Sequence, residues 1–465
     1  LLAYGFTGIG KFAAAFLPWQ LSEDVRVNEM LYGALITGFT ALYVVRGGMV
    51  SVVYTEVLQF LVMTAACIAI GVIAMMQVSP DMLAAVVPEG WTSLSFGWQL
   101  DLDWQTLLPE ANERIAGDGY SLFSLFIMLG LFKGILQSLA GPAPNFDMQR
   151  ILAARTPSEA AKMSGFVSIV LLFPRYMMVT GLTVLALVYL TPALKQMNSA
   201  ADFEQILPLT LANFIPSGLL GLIIAGLLAT FMSTFAATSN AAPAYVVNDI
   251  YKRYINPDIP ERKALKLSYL VSVLFVVCGS LLGLFVPSLN SMVMWLVSAL
   301  YGGYTAANVL KWYWWRFNGI AFFCGMTAGI ILSVFLMLTD IQPFYAFPFL
   351  FGFCLLVCVG VSLLTQPDDM EVLKVFYQKT RPWGWWLPVV RALQEDGVAI
   401  TANNQFKKDA ANVVVGVIWH TSLTAAPIFM VIKAWEPFVV SLSVIALCTA
   451  WLKIFWWDPL KRTAE

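Results

Sequence analysis

The sequence predicts an all-α protein that crosses a membrane many times. Of its 465 residues, 59% are hydrophobic and 12% are charged, and the mean hydropathy is +0.75. A soluble domain carries about 25% charged residues, so this chain has too few charges to cover a water-facing surface. Its apolar residues fall into stretches of about 20, the length that crosses a bilayer as a helix. The composition excludes a cytosolic enzyme, a nucleic-acid-binding protein and a disulfide-stapled secreted module.

Twelve such stretches follow one another along the chain. Several contain Gly or Pro, which helix bundles tolerate where neighbours satisfy the freed backbone groups. The chain begins with Leu1 and shows no signal peptide, and we expect that N-terminal sequence is missing. The predicted spans are 1–20, 28–46, 49–77, 120–142, 164–190, 214–247, 264–286, 288–313, 319–339, 345–365, 413–432 and 437–456.

The basic residues predict the orientation, because loops rich in Lys and Arg stay on the cytoplasmic side. If the end of span 28–46 is cytoplasmic, most of the 27 cations fall on that side. Loop 78–119 falls outside, with seven acidic residues and Arg114 as its one cation. We therefore expect a multi-pass protein of the cytoplasmic membrane with a cytoplasmic C-terminus. The tryptophans and charges of segment 366–412 indicate short helices against the membrane face. A packed connector is the favoured interpretation of this segment, and a regulatory role is the alternative.

The chain offers little for covalent or metal chemistry. Its six cysteines lie in apolar stretches without CxxC spacing, which indicates small core residues. The one histidine, His420, also lies in an apolar stretch, where a structural polar contact is the favoured interpretation. A single histidine argues against a zinc site or a Ser-His-Asp triad. The sequence therefore predicts that the protein is not an enzyme.

Four ionisable residues lie well inside predicted spans, where charge is costly and indicates function. They are Lys11, Glu56, Lys133 and Arg175. Near the cytoplasmic end of its helix, Glu56 is suited to coordinate or relay a cation, or to pair with one of the buried cations. Three cations against one acid leave an excess of positive charge, which an anionic substrate or acids on missing helices would balance.

Lys133 and Gln137 are one helical turn apart and share a face. The sequence LAGPAP that follows cannot stay a regular helix, because its two prolines remove backbone donors. A broken helix beside a polar face at membrane depth is how transporters form a binding site. Lys133, Gln137 and Arg175 are therefore candidate substrate-binding residues, with snorkelling of Lys133 to the interface as the alternative.

The sequence ATFMSTFAATSN at 229–240 places three hydroxyls on one helix face. These are the hydroxyls of Thr230, Ser233 and Thr234. Together with carbonyls, such oxygens suit a small hard cation such as sodium, and ordinary Ser/Thr contacts between helices are the alternative.

These residues and their surroundings resemble the sodium:solute symporter family, which includes the sodium/glucose, proline and sialic acid transporters. The resemblance implies a LeuT-type fold of two inverted repeats that lacks the first core helices and has extra C-terminal helices. The similar motifs are YVVRGGMVSVVYTEVLQ (43–59), DMQRILAARTPSEAAK (147–162) and FMSTFAATSNAAPAYVVNDIYKRY (231–254). The implied parts are the remainder of the first repeat (1–77), an extracytoplasmic loop (78–119), the second repeat (120–313) and peripheral helices (314–465).

The resemblance also implies roles for individual residues. Ser233 and Thr234 match the two hydroxyl positions of the principal sodium site, and Thr230 matches a position that supplies a backbone carbonyl. Glu56 stands where the family usually has Asp, a residue associated with the inward ion path or a second sodium. Gln137 matches an Asn that binds sugar in galactose-type members.

The function implied is that of a sodium-coupled secondary active symporter, which imports a small organic solute by alternating access. Na+ is the coupling ion, and alanines at 236 and 237, where some members have the hydroxyls of a second site, predict one sodium per cycle. Lys133 and Arg175 favour a carboxylated solute. A transporter-derived solute sensor or regulatory membrane subunit without net transport is the alternative.

Overall fold

A computed structural model shows the chain as a set of helices. Over the part that it describes there is no β-strand, and eight helices are long and apolar enough to cross a membrane. This confirms the predicted all-α, polytopic class. The described residues are 2–93, 98, 102–105, 112, 113, 115, 116, 122–140, 151, 154–192, 206–284, 293, 301–336, 339, 341 and 343–459. Within them, the description leaves out the side chains of 43–53, 55, 123, 124, 126, 157, 237, 240, 301–303, 343 and 344.

The helices are numbered in chain order within these ranges. Three of them, α5, α7 and α15, continue directly as π-helix to Leu190, Ile255 and Trp457. The helices are α1 (Leu2–Phe16), α2 (Val25–Gln77), α3 (Pro80–Ala84), α4 (Phe123–Leu139), α5 (Pro157–Leu185), α6 (Ile206–Phe214), α7 (Ser217–Pro243), α8 (Glu261–Gly283), α9 (Tyr301–Tyr313), α10 (Gly319–Leu336), α11 (Pro343–Leu364), α12 (Met370–Thr380), α13 (Leu387–Glu395), α14 (Phe406–Val431) and α15 (Trp435–Leu452).

The prediction of separate spans at 28–46 and 49–77 was wrong in one respect. The structure has a single helix, α2, of 53 residues in their place, more than twice the ~20 that one crossing needs. The expected break lay at the glycine pair 47–48. Glycine lowers helix propensity by about 1 kcal/mol but keeps its backbone N–H, so it does not interrupt the hydrogen bonds as proline does.

Two further points concern the regions around predicted spans. The short helix α6 lies largely between predicted spans 164–190 and 214–247, where the sequence analysis predicted no membrane span. Most of 285–300, at the start of predicted span 288–313, lies outside the described residues, and the C-terminal part of that span forms α9.

The start of α5 shows how the sequence delimits a helix. The side chain of Thr156 accepts a hydrogen bond from the Glu159 amide at 3.2 Å, and the Glu159 carboxylate accepts one from the Arg155 amide at 3.1 Å. This arrangement satisfies amides that the first helical turn leaves unpaired. Pro157, at the first turn, has no N–H to satisfy.

The described residues group into two compact units. The first comprises Leu1–Glu89, Asn145–Leu289 and Val415–Glu465, and the second comprises Gly90–Pro144 and Asn290–Val414. The units follow packing, whereas the domain boundaries predicted from the sequence follow the implied repeats and stay a prediction.

The first unit is held together around α2. Ala66 and Ile70 of α2 pack with Leu211 of α6 and Ile223 of α7 in a buried apolar cluster. Burial of such side chains is worth about 25 cal/mol per Å² of apolar area where it removes them from water. α2 thereby holds α7, which carries the predicted sodium residues.

His420 makes the structural contact that the sequence analysis favoured. Its Nε2 lies 3.0 Å from the hydroxyl of Ser168 in α5, and its Nδ1 lies 2.8 Å from the Gly416 carbonyl. The contact with Ser168 connects α14 with α5 inside the first unit, and the contact with Gly416 lies within α14.

In the second unit, α10 packs against α11 through a stripe of small residues. The buried positions of α10 recur every four residues, which lets two helix backbones approach closely in a membrane protein. A Cβ added at Gly325 would lie 2.1 Å from the Sγ of Cys358, which is fully buried in α11. The stripe consists of Ala321, Gly325, Gly329 and Ser333.

Segment 366–412 contains the short helices that its sequence predicts. α12 and α13 enclose a small apolar core that includes Tyr377, Trp386 and Leu393. Lys374 of α12 donates to Asp396, just past α13, at 2.5 Å and to Glu371 at 2.8 Å. These two hydrogen bonds raise the pKa of Lys374 above its usual range. The segment is thus a folded part of the second unit.

Replacement of Gly325 by Ala should destabilise the second unit, because the new methyl group overlaps Cys358. We expect a loss of about 1–3 kcal/mol, as for other overpacked cores, measured by thermal unfolding of the full chain in detergent. Gly352→Ala is the matched control, since a Cβ there meets no atom within 4 Å. Adding Cys358→Ala to Gly325→Ala should restore stability, and failure to do so would contradict the close-packing explanation.

Candidate functional site

A carboxylate and a hydroxyl from different helices meet inside the first unit. The Ser233 hydroxyl of α7 donates to Oε1 of Glu56 in α2 at 2.9 Å, and both residues are half-buried. The two residues are 177 positions apart in the sequence. The structure therefore brings together the residue predicted for the ion path and one predicted for the sodium site.

The packing of α2 against α7 sets this contact. A Cβ added at Gly226 of α7 would lie 3.4 Å from Cγ1 of Val62 and 3.6 Å from Cα of Met63 in α2. Seven residues further along α7 is Ser233, and seven residues back along α2 from Met63 is Glu56. The helices are thus antiparallel, and two contacts about 10 Å apart lie along one seam.

The two threonines of the predicted site bond within their own helix. Thr230 donates its hydroxyl to the Gly226 carbonyl at 2.9 Å, and Thr234 donates to the Thr230 carbonyl at 3.1 Å. Such bonds to the fourth preceding carbonyl are common for Thr and Ser inside helices. Both threonines lie at the surface of the described chain. Their hydroxyl and carbonyl oxygens lie within one helical turn of Ser233.

These atoms form a small set of oxygen ligands with one carboxylate. Oxygen donors suit hard cations, whereas soft or transition metals favour His and Cys. Over the described residues, no group of three or more His, Cys, Asp or Glu side chains is arranged to hold a metal ion. The oxygen ligands at Ser233 and Glu56, with a single carboxylate among them, suit a monovalent hard cation that is bound reversibly.

The predicted solute residues fall in different units. Lys133 and Gln137 belong to α4 of the second unit, and the Lys133 side chain is only 8% exposed. This low exposure argues against a lysine that snorkels to an aqueous interface. Arg175 belongs to α5 of the first unit and is exposed there, and Pro174 beside it does not end the helix. Lys11 is half-buried in α1.

Parts of the predicted motifs lie outside the described residues. These include 141–150, which contain the expected helix break after α4 and the start of the motif 147–162. The side chain of Ala237 is also outside the description, and Ala236 is fully buried. The predicted helix break stays a prediction.

Comparison with known proteins identifies the family. The profile of the sodium:solute symporter family (SSF) matches residues 13–329, which is more than half of the chain. The chain is 22% identical over 380 residues to the sodium/glucose cotransporter of Vibrio parahaemolyticus, covering 76% of the chain and 66% of the relative. It is 22% identical over 431 residues to sodium/myo-inositol cotransporter 2 of Bos taurus, covering 80% of the chain and 60% of the relative. The chain thus spans less than two thirds of the length of these relatives.

A solved structure supports the fold. A Na+-coupled sialic acid symporter superposes with a TM-score of 0.57 at 17% identity, over 79% of this chain and 73% of that one. This similarity confirms the LeuT-type fold that the sequence implied. The family is one of transporters, which confirms the prediction that the chain is not an enzyme. The family match and the helical fold agree with the three sequence motifs, and the chain belongs to the sodium:solute symporter family.

Proposed function

We propose that the protein is a sodium-coupled symporter that moves a small organic solute across the cytoplasmic membrane by alternating access. The Ser233–Glu56 hydrogen bond carries the proposal, because it joins a carboxylate to the hydroxyl of the predicted sodium helix at 2.9 Å. The names of the relatives, which include cotransporters of sodium with glucose, myo-inositol and mannose, support sodium as the coupling ion.

In this proposal, sodium binds where α2 contacts α7 and is itself transported. The Ser233 hydroxyl donates a hydrogen bond to Glu56 and keeps oxygen lone pairs for an ion, while the Glu56 carboxylate supplies the opposite charge. The neighbouring Thr230 carbonyl and Thr234 hydroxyl provide further oxygens on the same face. Bound sodium places a positive charge beside the Glu56 carboxylate, which favours the ionised form of that group.

Coupling requires that sodium bind one conformation more tightly than the other. A ligand shifts a conformational equilibrium only by its differential affinity for the two states. If sodium favours the outward-facing state and that state binds solute better, each ligand promotes the other reciprocally. The buried Ala236, at a position where some family members have a hydroxyl of a second sodium site, offers no side-chain oxygen. We propose one sodium per cycle.

The buried Lys133 supports a carboxylated solute. An ammonium inside the second unit, one helical turn from the Gln137 amide, provides a charged and a neutral hydrogen-bonding group on one face of α4. Among the similar proteins, the sialic acid symporter is named for a carboxylated sugar and the cotransporters for uncharged ones. The cation distribution supports a cytoplasmic C-terminus.

Uptake by the full chain in proteoliposomes tests the proposal. We expect an inward sodium gradient to drive accumulation of at least one of glucose, myo-inositol, mannose and sialic acid, and an equal potassium gradient to drive none. Parallel sodium and solute fluxes would give the stoichiometry. Saturable binding of a solute without sodium-driven accumulation would contradict symport and support a sensor.

The ion site is tested by a double-mutant cycle of Glu56→Gln and Ser233→Ala. Each single variant should raise the half-saturating sodium concentration for uptake about tenfold, a loss of about 1.4 kcal/mol. The double variant should lose less sodium-binding free energy than the sum of the two single losses, because the two residues share one contact.

Two further variants are the controls for that cycle. Glu56→Asp should retain most of the sodium affinity, since it keeps a carboxylate. Ser443→Ala removes a similar hydroxyl, bonded to the Val439 carbonyl on exposed α15, and should change nothing. Unaltered sodium dependence in both single variants would refute the ion-site assignment.

Lys133→Met should selectively weaken the binding of anionic solutes. The variant removes the ammonium but keeps an unbranched apolar side chain, so we expect the KM for sialic acid to rise about tenfold or more and that for neutral sugars to change little. Lys133→Arg keeps the positive charge and is the matched control. An unchanged substrate profile in Lys133→Met would mean that this lysine does not contact the solute.

A further inference from the structure

The end of the helix that carries the candidate solute residues is held by a tryptophan. Trp312 of α9 donates its indole N–H to the carbonyl of Ala140, the residue just past α4, at 2.8 Å. The last carbonyls of a helix have no donor within that helix. Ala140 lies three residues after Gln137 and seven after Lys133, so the bond is made within two turns of both and on the same side of α4.

The C-terminus of α9 is in turn held by segment 366–405. The indole of Trp386 donates to the Trp312 carbonyl at 2.8 Å, and the amide of Trp385 donates to the Tyr313 carbonyl at 2.7 Å. Both carbonyls belong to the last turn of α9, which lacks donors of its own. The two consecutive tryptophans thus cap α9.

Gly384 permits this approach. Its φ is +108°, and a Cβ there would lie 2.3 Å from the Tyr313 carbonyl oxygen, so only glycine fits. Beyond it, Trp386 is 3% exposed and packs with Tyr377 and Leu393 in the core of the segment. The position of the Trp386 indole is therefore set by the folded core of α12 and α13.

Aromatic packing joins the same residues. The ring of Phe376 in α12 lies 5.9 Å from that of Trp312 and 5.4 Å from that of Trp386, centroid to centroid. Hydrogen bonds and ring contacts therefore connect the segment to Trp312, and Trp312 to the end of α4. All of these residues lie in the second unit.

We infer that segment 366–405 positions the solute-binding end of α4, and that Trp386 and Trp312 are the positioning residues. The inference rests on the proposed function, because it takes Lys133 and Gln137 as solute-binding. With the indole N–H of Trp312 absent, the Ala140 carbonyl loses that donor, and the last turn of α4 opens more often. Solute affinity then falls although no residue at the solute has changed.

Hydrogen–deuterium exchange of the full chain in detergent tests this inference. Trp312→Phe and Trp386→Phe each keep an aromatic ring and remove the N–H donor. In both, amides of 136–140 should exchange about fivefold faster, the effect of one lost hydrogen bond on local opening. The double variant should exchange no faster than Trp312→Phe alone, because Trp386 acts through Trp312.

Trp385→Phe is the matched control. Its indole is 70% exposed and its backbone donation to Tyr313 remains, so exchange at 136–140 should not change. Amides of α8 in the first unit serve as the internal reference. Unchanged exchange at 136–140 in both test variants, additive effects in the double variant, or equal acceleration in α8 would each overturn the inference.

A transport measurement separates this inference from the proposed function. For whichever of glucose, myo-inositol, mannose and sialic acid the wild-type protein accumulates, the two variants should raise KM about fivefold and leave the maximal rate within twofold. A lower maximal rate with unchanged KM would overturn the positioning role. If no solute is accumulated in sodium, the proposed function fails, while the exchange experiment still decides whether the segment controls the end of α4.

Discussion

The structure depends on one constraint, which is that a backbone polar group in the hydrocarbon core finds no water. Within a helix the backbone amides and carbonyls bond to one another, but each helix end leaves several carbonyls or amides without partners. In this chain, side-chain and backbone donors from distant parts of the sequence satisfy several of these groups. The indole of Trp312 serves α4, and Trp385 and Trp386 serve α9. The helix ends are therefore the places where remote segments influence the membrane helices.

The same constraint favours a hydrogen-bonding partner for each polar side chain inside the bundle. A carboxylate at membrane depth needs a partner, and Glu56 has one in Ser233. Burying a hydrogen-bonded carboxylate costs less free energy than burying an isolated charge, but more than burying an apolar side chain. The contact therefore adds little to the stability of the fold. Under the proposed function, a small cation enters this contact and changes its energy. A polar contact between two otherwise apolar helices is thus suited to respond to an ion.

The sequence predicted the class of fold well and the contacts poorly. Apolar length alone located α10 and α11 within a few residues, since the spans 319–339 and 345–365 report bilayer thickness directly. It divided α2 in two, because a glycine pair weakens a helix without removing a hydrogen bond. Hydroxyl spacing selected Ser233, but no local pattern relates it to Glu56. Nor does local sequence show that Trp312 reaches Ala140. Such contacts follow from how helices pack, which a one-dimensional pattern does not record.

Gly226 provides no ligand, and yet it affects the width of the candidate ion site. It lies on the same seam as Ser233 and seven residues away, which is nearly two whole turns, so both residues face α2. A Cβ at 226 would meet Val62 and Met63 at 3.4 and 3.6 Å, which are ordinary contact distances, so alanine would fit there. A side chain larger than alanine would act as a spacer and separate the oxygens of Ser233 and Glu56. Under the proposed function, the size of the ion that fits between the two helices thus depends partly on a residue that never touches it.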